Sequence, residues 1–269
     1  MNNTIETYKV KQLLRQTIDR IDGAYADATI RAYRSNYMKF IDFCESIGVC
    51  ALPAKPEIIA SYIENLSERG CRSATIRQAI ASIATIHTLN NYENPTIHSE
   101  VRLALKRMHR SLGRFSRQAH GINKELLNEM LAATDDSLRG LRDRALIMVA
   151  YDTMCRRGEL IRLKVEDIDT QVIDSSGISG GYIFRGIDRG NTIKDTLTPG
   201  QVCRIYKRLA SKAGFTKEFV KRVSGHSMRV GAAQDLLLSG ASLPMIMARG
   251  RWSKSDTVMR YVEKIGVPI

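Results

Sequence analysis

A chain of 269 residues, 43% of them hydrophobic, has the apolar material for two ordinary domains or one large one. Its 41 Lys and Arg against 28 Asp and Glu leave a net charge of +13. That surplus favours a polyanionic partner, nucleic acid first, although a ribosomal or membrane-surface protein would share it. The five cysteines (Cys44, Cys50, Cys71, Cys155, Cys203) are scattered, with no C-x-x-C pair, so neither a disulfide framework nor a zinc site is suggested. The N-terminal stretch lacks an apolar core, and no run of about 18 apolar residues occurs. A protein neither secreted nor membrane-spanning, at home in a reducing cytoplasm, is expected.

Residues 1–26 are polar, with a short amphipathic piece (Val10, Leu13, Leu14, Ile18, Ile21) that predicts a marginal first helix. From Asp27 the pattern firms. Ile30, Tyr33, Tyr37, Phe40, Ile41 and Cys44 recur at helical spacing behind an Asp N-cap. The loop ALPAKP leads to a second helix, Glu57 to Arg69, with Ile58, Ile59, Tyr62, Ile63 and Leu66 on one face. Ser73 is placed to cap a third, whose Ile76, Ile80, Ile83 and Ile86 form its buried side. A fourth follows Asn94-Pro95, from about Ile97 to Leu112. Four short amphipathic helices on tight loops predict a helical bundle over residues 1–117. Seven Lys or Arg and no Asp or Glu lie between Val101 and Lys124. The plain reading is a solvated helix end. The overlap with the flexible stretch LGRFSRQAHGIN favours contact with a phosphate backbone, and it puts a domain boundary near residue 118.

The second half opens with a capped helix, Asn123 to Ala133. A longer one follows from Ser137, apolar at Leu141, Ala145, Leu146, Val149 and Ala150. Arg156 sits just past its end, on irregular backbone suited to a functional side chain. A short helix, Glu159 to Leu163, precedes LKVEDID, which is expected to lead into a strand. GYIFRGIDRGNTIKDTLTP then predicts a hairpin around Arg189-Gly190-Asn191. Thr198-Pro199 starts a helix carrying Arg204, Lys207, Arg208 and Lys212. With Lys217, Lys221 and Arg222 these make a second basic cluster, opposed only by Glu218.

The chemistry concentrates between Ser224 and Tyr261. This stretch divides into helices from about Met228 to Leu238 and Leu243 to Arg249, hinged at Ser239-Gly240, and a third from Ser255 that carries Tyr261. The hinge reads equally as a helix-turn-helix DNA reader and as two packed helices. His226 and Arg229, one turn apart, can address one ligand. A guanidinium suits a phosphate, an imidazole moves protons near neutral pH, and a tyrosine can form a covalent intermediate. The chain's one tryptophan, Trp252, lies nine residues before Tyr261.

Together these residues identify a resemblance. SGHSMRVGAA, Gly-Arg-Trp in place of the usual Gly-Gly-Trp, and VMRY resemble the C-terminal motif of the tyrosine recombinases, the phage integrase family, in its Cre-like branch. The upstream segment AYDTMCRRGELIRLKVEDI, residues 150–168, matches the family's first arginine region, with Arg156 as that arginine and Glu159 as its partner. The resemblance covers most of the chain and implies a mainly α fold. A four-helix, SAM-like core-binding domain that clamps DNA would occupy residues 1–117. A mostly α catalytic domain with a small β-sheet, here reduced, would occupy 118–269. It implies site-specific cleavage and rejoining of double-stranded DNA, with the protein a dimer on one site and a tetramer in synapsis. Tyr261 would be the nucleophile, Arg156 and Arg229 the phosphate clamps, His226 the proton mover, and the Trp252 indole a donor to a phosphate oxygen. Glu159 would brace Arg156. No cofactor and no metal are implied, and His87, His98, His109 and His120 lack ligand spacing.

The sequence departs from the family at one place. Members carry a lysine on a hairpin after the first arginine region, as proton donor to the leaving 5′-oxygen. Here only TQVIDSSGISGG separates KVEDID from YIFRGIDR, too short for that hairpin, and Lys194 on the later segment is the substitute candidate. Without such a donor, ordinary DNA is expected to be cut slowly. The rival reading is a DNA-binding relative without cleavage, acting as an architectural or competitor protein. A one-way DNA topoisomerase of related chemistry fits the two-domain plan less well.

Overall fold

The computed structural model describes residues 2–114, 118–167, 180–188 and 190–262, with residues 2–5 and 262 described by backbone alone. The chain separates into two compact units, Met1–Arg117 and Gln118–Ile269.

The first unit opens with α1 (Asn2–Arg20), a full helix where a marginal one was expected. Its composition is polar, but Val10, Leu14, Ile18 and Ile21 form one buried stripe against α2 (Asp27–Ser46) and against a later helix of this unit. A stripe at this spacing is what tertiary packing needs, whatever the mean hydropathy. The bundle therefore holds five α-helices among the described residues, not four, continuing with α3 (Pro56–Glu68), α4 (Ser73–Leu89) and α5 (Ser99–Leu112). Phe40, Ile41, Ile59, Ile63, Ile76 and Ile83 fill its centre. Two expected caps fall one residue inside their helices. Ala26 and Arg72 occupy the N-cap positions of α2 and α4, with extended backbone and no side-chain cap bond. Ser73 instead shares a hydrogen bond with His109 Nδ1 at 3.1 Å. On α5, Val101, Ala104 and Met108 face inward and Arg102, Lys106, Arg107 and Arg110 face solvent. Among the described residues only Arg107 of these spans to another element, reaching Glu64 at 3.3 Å.

His87 is fully buried in this core. Its Nε2 accepts from Ala54 N at 3.0 Å and its Nδ1 donates to the Ile83 carbonyl at 2.8 Å, an arrangement that fits only the neutral ring. Burial holds its pKa below the ordinary 6.5, outweighing the Ile83 bond. A depressed histidine contributes stability that is present above the unfolded value and is lost as pH falls through the folded one. Urea midpoints of the first unit are thus expected to drop as pH falls below about 6.5, and His87→Phe should flatten that dependence.

The second unit begins with α6 (Lys124–Ala132), capped by Asn123, whose Oδ1 accepts from Leu126 N at 3.0 Å. Ser137 caps α7 (Leu138–Asp152) through Gly140 N at 3.1 Å. The inward face of α7 differs from the apolar stripe expected. Leu146 and Ala150 are buried, but Leu141 and Ala145 are exposed and Asp143 lies inside. An ion network sets this register: Arg142 Nε meets Asp143 Oδ1 at 2.7 Å, and Arg208 meets the other carboxylate oxygen. The next helix, α8 (Arg157–Leu160), starts two residues earlier than expected.

Where LKVEDID was expected to enter a strand, Val165–Asp167 forms a 3-10 turn, and the continuation lies outside the described residues. The later hairpin is recognisable in the bonds Gly186 N to Thr196 O (3.1 Å), Asp188 N to Thr192 O (3.1 Å) and Lys194 N to Gly186 O (2.7 Å); Arg189 at its tip is outside the described residues. Among the described residues the small β-sheet reduces to two isolated bridges, Lys164 to Tyr182 and Ile187 to Ile193. Thr198 and Gln201 cap α9 (Pro199–Lys212) reciprocally, and α10 (Lys217–Arg222) follows. The second basic cluster is partly neutralised, because Arg208 pairs with Asp143 and Lys212 with Asp135 at 3.2 Å. The unit closes with α11 (Ser227–Leu238), α12 (Leu243–Gly250) and α13 (Ser255–Val262).

Candidate active site

The site is built around the start of α11. A Cβ on Gly231 would lie 1.8 Å from the Ile122 carbonyl oxygen, so only glycine lets α11 press against the chain entering this unit. Ile122 N donates to Ser227 O at 3.0 Å along the same seam. The RVGAA box is therefore a packing device as well as a carrier of Arg229. His226 is the N-cap of α11, its backbone N–H held by Ser224 Oγ at 3.1 Å.

Arg229 is 1% exposed. Its Nη1 donates to the Met154 carbonyl and its Nη2 to the Gly250 carbonyl at 2.8 Å, so one side chain joins the ends of α7 and α12. Its guanidinium carbon lies 4.6 Å from the centre of the Trp252 ring. The ring has room because residue 250 is glycine: a Cβ there would stand 2.1 Å from Trp252 Cζ3. On the other side, Trp252 meets the Tyr261 ring edge-on at 5.6 Å. Gln234 Nε2 donates to the Tyr261 carbonyl at 3.0 Å and ties α13 to α11. Arg229, Trp252 and Tyr261 thus form one column.

Arg156 stands at the start of α8. Its backbone N–H donates to Glu159 Oε2 and its Nη1 to Oε1, both at 2.8 Å. Arg251 Nη2 reaches Glu159 Oε2 at 3.3 Å and Cys155 Sγ at 3.3 Å. Partial burial of Glu159 opposes ionisation, but the bonds from Arg156 outweigh it and hold the carboxyl below its usual range. Glu159 is therefore the anion that steadies two arginines. Arg251 itself sits in the left-handed region at φ 53°, where the more usual glycine would be unstrained.

Arg156, His226, Arg229, Trp252 and Tyr261 line one open recess of about 180 Å³, together with Ser253, Lys254 and Thr257. All five residues singled out from the sequence come together, while the last three were missed. Nothing distinguishes them in the sequence except their place between Trp252 and Tyr261. Lys194, the substitute candidate, pairs with Asp188 at 3.0 Å and does not line the recess. His226 keeps part of its surface in solvent, yet desolvation of its ring, then Arg229, Arg157 and Arg156, hold its pKa below 6.5. A neutral imidazole, two guanidiniums and a phenol around one opening suit an anionic ester and a nucleophile. Among the described residues no group of three or more His, Cys, Asp or Glu could hold a metal, and no helix is long and apolar enough to cross a membrane.

The model of the Phage integrase family matches residues 121–174. The chain is 27% identical to the integrase/recombinase xerD homolog of Selenomonas ruminantium, over 91% of this chain and 84% of that protein. It is 24% identical to the recombinase cre of Escherichia phage P1, over 95% of this chain and 89% of that protein. The fold matches that of the Tn1549 transposon integrase in complex with transposon right end DNA, at a TM-score of 0.63 and 14% identity over 94% of both chains. It also matches a lambda integrase tetramer bound to a Holliday junction, at 0.62 and 13% identity over 97% of this chain and 79% of that one. The relatives do not single out a branch, since XerD-like and cre recombinases stand at similar identity. The matched segment and the relatives spanning most of the chain support its membership of the phage integrase family of tyrosine recombinases.

Proposed function

We propose that this chain cleaves and rejoins double-stranded DNA at a specific site through a 3′-phosphotyrosyl intermediate on Tyr261. The observation that carries the reading is the shared recess of Tyr261, Arg156, Arg229 and His226. Phosphoryl transfer is governed by positioning and electrostatics. Arg156 and Arg229 would neutralise the non-bridging oxygens, with the Trp252 N–H as a further donor. His226, held neutral, would take the phenol proton as the Tyr261 oxygen attacks phosphorus. The 5′-oxygen leaves and the phosphate stays on Tyr261 as an ester, so rejoining by the reverse attack requires no nucleotide triphosphate. The exposed basic face of α5 would add phosphate contacts from the first unit. The dimer on one site, the tetramer in synapsis and the Cre-like affiliation, which rests on the SGHSMRVGAA box, belong to the same proposal.

A second reading, DNA binding without cleavage, is favoured by one observation: residues 165–193 contain no lysine. Covalent trapping separates the two. With a duplex carrying the chain's footprinted site, the wild-type protein is expected to leave an adduct that survives SDS, and Tyr261→Phe none. Equal adduct from the Phe variant would remove Tyr261 from the chemistry; no adduct from either would favour the binding-only reading.

A further inference from the structure

The leaving 5′-oxygen needs a proton. An alkoxide is a poor leaving group in water, whose own pKa of about 15.7 sets the scale. The groups lining the recess narrow the choice of donor. Arg156 and Arg229 do not release protons under ordinary conditions. His226 has the opposite task in the proposed cleavage, taking the proton of Tyr261 in the same recess. Ser253 and Thr257 bear hydroxyls no more acidic than the leaving group, and the Trp252 indole donates hydrogen bonds without releasing its proton. What is left is Lys254, on the link between Trp252 and α13, seven residues before Tyr261. It is exposed and lines the recess, and among the described residues no carboxylate pairs with it. Lys194, by contrast, is occupied by Asp188.

We infer that Lys254 is the general acid of the cleavage step, filling from the C-terminal side the role that the short 165–193 segment has no lysine to fill. The inference rests on the proposed cleavage at Tyr261. The Tyr261 Oη–P bond forms and the P–O5′ bond breaks. The phenol proton goes to His226 Nδ1 or Nε2, and a proton passes from the Lys254 ammonium to O5′, leaving a neutral amine and a free 5′-hydroxyl. In rejoining, the same amine takes the proton back as the 5′-oxygen attacks.

The test compares two duplexes of one sequence, one ordinary and one with sulphur at the bridging 5′ position, which leaves as a thiolate of pKa about 8.5 without a proton. Wild type is expected to cut both. Lys254→Ala and Lys254→Arg should cut ordinary DNA about 10²- to 10⁴-fold more slowly, yet cut the sulphur-bridged duplex at close to the wild-type rate. That retained rate also shows that the variants are folded. Lys194→Ala should match wild type on both. Unchanged cutting of ordinary DNA by Lys254→Ala would overturn the inference, and so would an equal loss on both duplexes, which would make Lys254 a binding residue. Failure of the wild type itself on both duplexes would overturn the cleavage proposal, a result visible before any lysine variant is compared.

Discussion

Arg229→Leu is expected to cost the second unit about 3 kcal/mol of stability as well as the proposed cleavage activity. The substitution strands two buried carbonyls, those of Met154 and Gly250, each at about 1–3 kcal/mol. It also removes the guanidinium stacked on Trp252. Relief from desolvating the charge offsets part of this, because a buried cation begins with a penalty of its own. At about 2–4 °C per kcal/mol for a unit of this size, the melting transition of residues 118–269 should fall by roughly 6–12 °C. The transition of residues 1–117 should not move. Cleavage of the trapped substrate should fall by at least about 10²- to 10³-fold, the scale for one donor to a developing anion. Calorimetry with both transitions resolved is the check. A shift below about 2 °C would mean that Arg229 does not hold α7 and α12 together.

Arg156→Ala should separate the two effects. The Arg156 side chain is half exposed and pairs with a carboxylate three residues away, a surface ion pair worth about 0–1 kcal/mol. Arg251 still reaches Glu159 when Arg156 is gone, so the carboxylate keeps a partner. The melting transition should therefore move by no more than about 2–4 °C, while cleavage falls by about 10²- to 10³-fold. Affinity for the site should stay near wild type. The slope of log K against log salt should shrink by about 0.9, the share of one phosphate contact. A loss of stability as large as that of Arg229→Leu would recast Arg156 as structural, and an unchanged salt slope would remove it from the phosphate.

The local chemistry of the site is legible in the sequence because it is written in short-range patterns. A cap before a periodic run marked the starts of α6, α7 and α9, and the spacing of His226, Arg229, Trp252 and Tyr261 marked the recess. What was not legible depends on partners far along the chain. Nothing near Asp143 announces that Arg208, 65 residues away, will draw it inward and turn Leu141 out to solvent. The same long-range pairing removes Arg208 and Lys212 from the basic cluster that their spacing suggested. Ser73 looked like a cap because its hydroxyl was counted as free, whereas His109 on α5 claims it. Lys254 carried no signal because an exposed lysine is ordinary; only the closing of α13 over the recess gives it a neighbourhood.

The column of Arg229, Trp252 and Tyr261 has an optical consequence. The chain contains a single tryptophan, and its indole lies between a fixed guanidinium and the ring on which the phosphate would land. Its emission is therefore a native gauge of whether α13 is seated. An undocked α13 would move the Tyr261 ring away and open the indole to water, shifting emission to the red. A phosphate drawn in beside Arg229 would alter the field across the indole without exposing it. Seating of the nucleophile and arrival of the ester can thus be followed as two separate colour changes, in real time and without a dye.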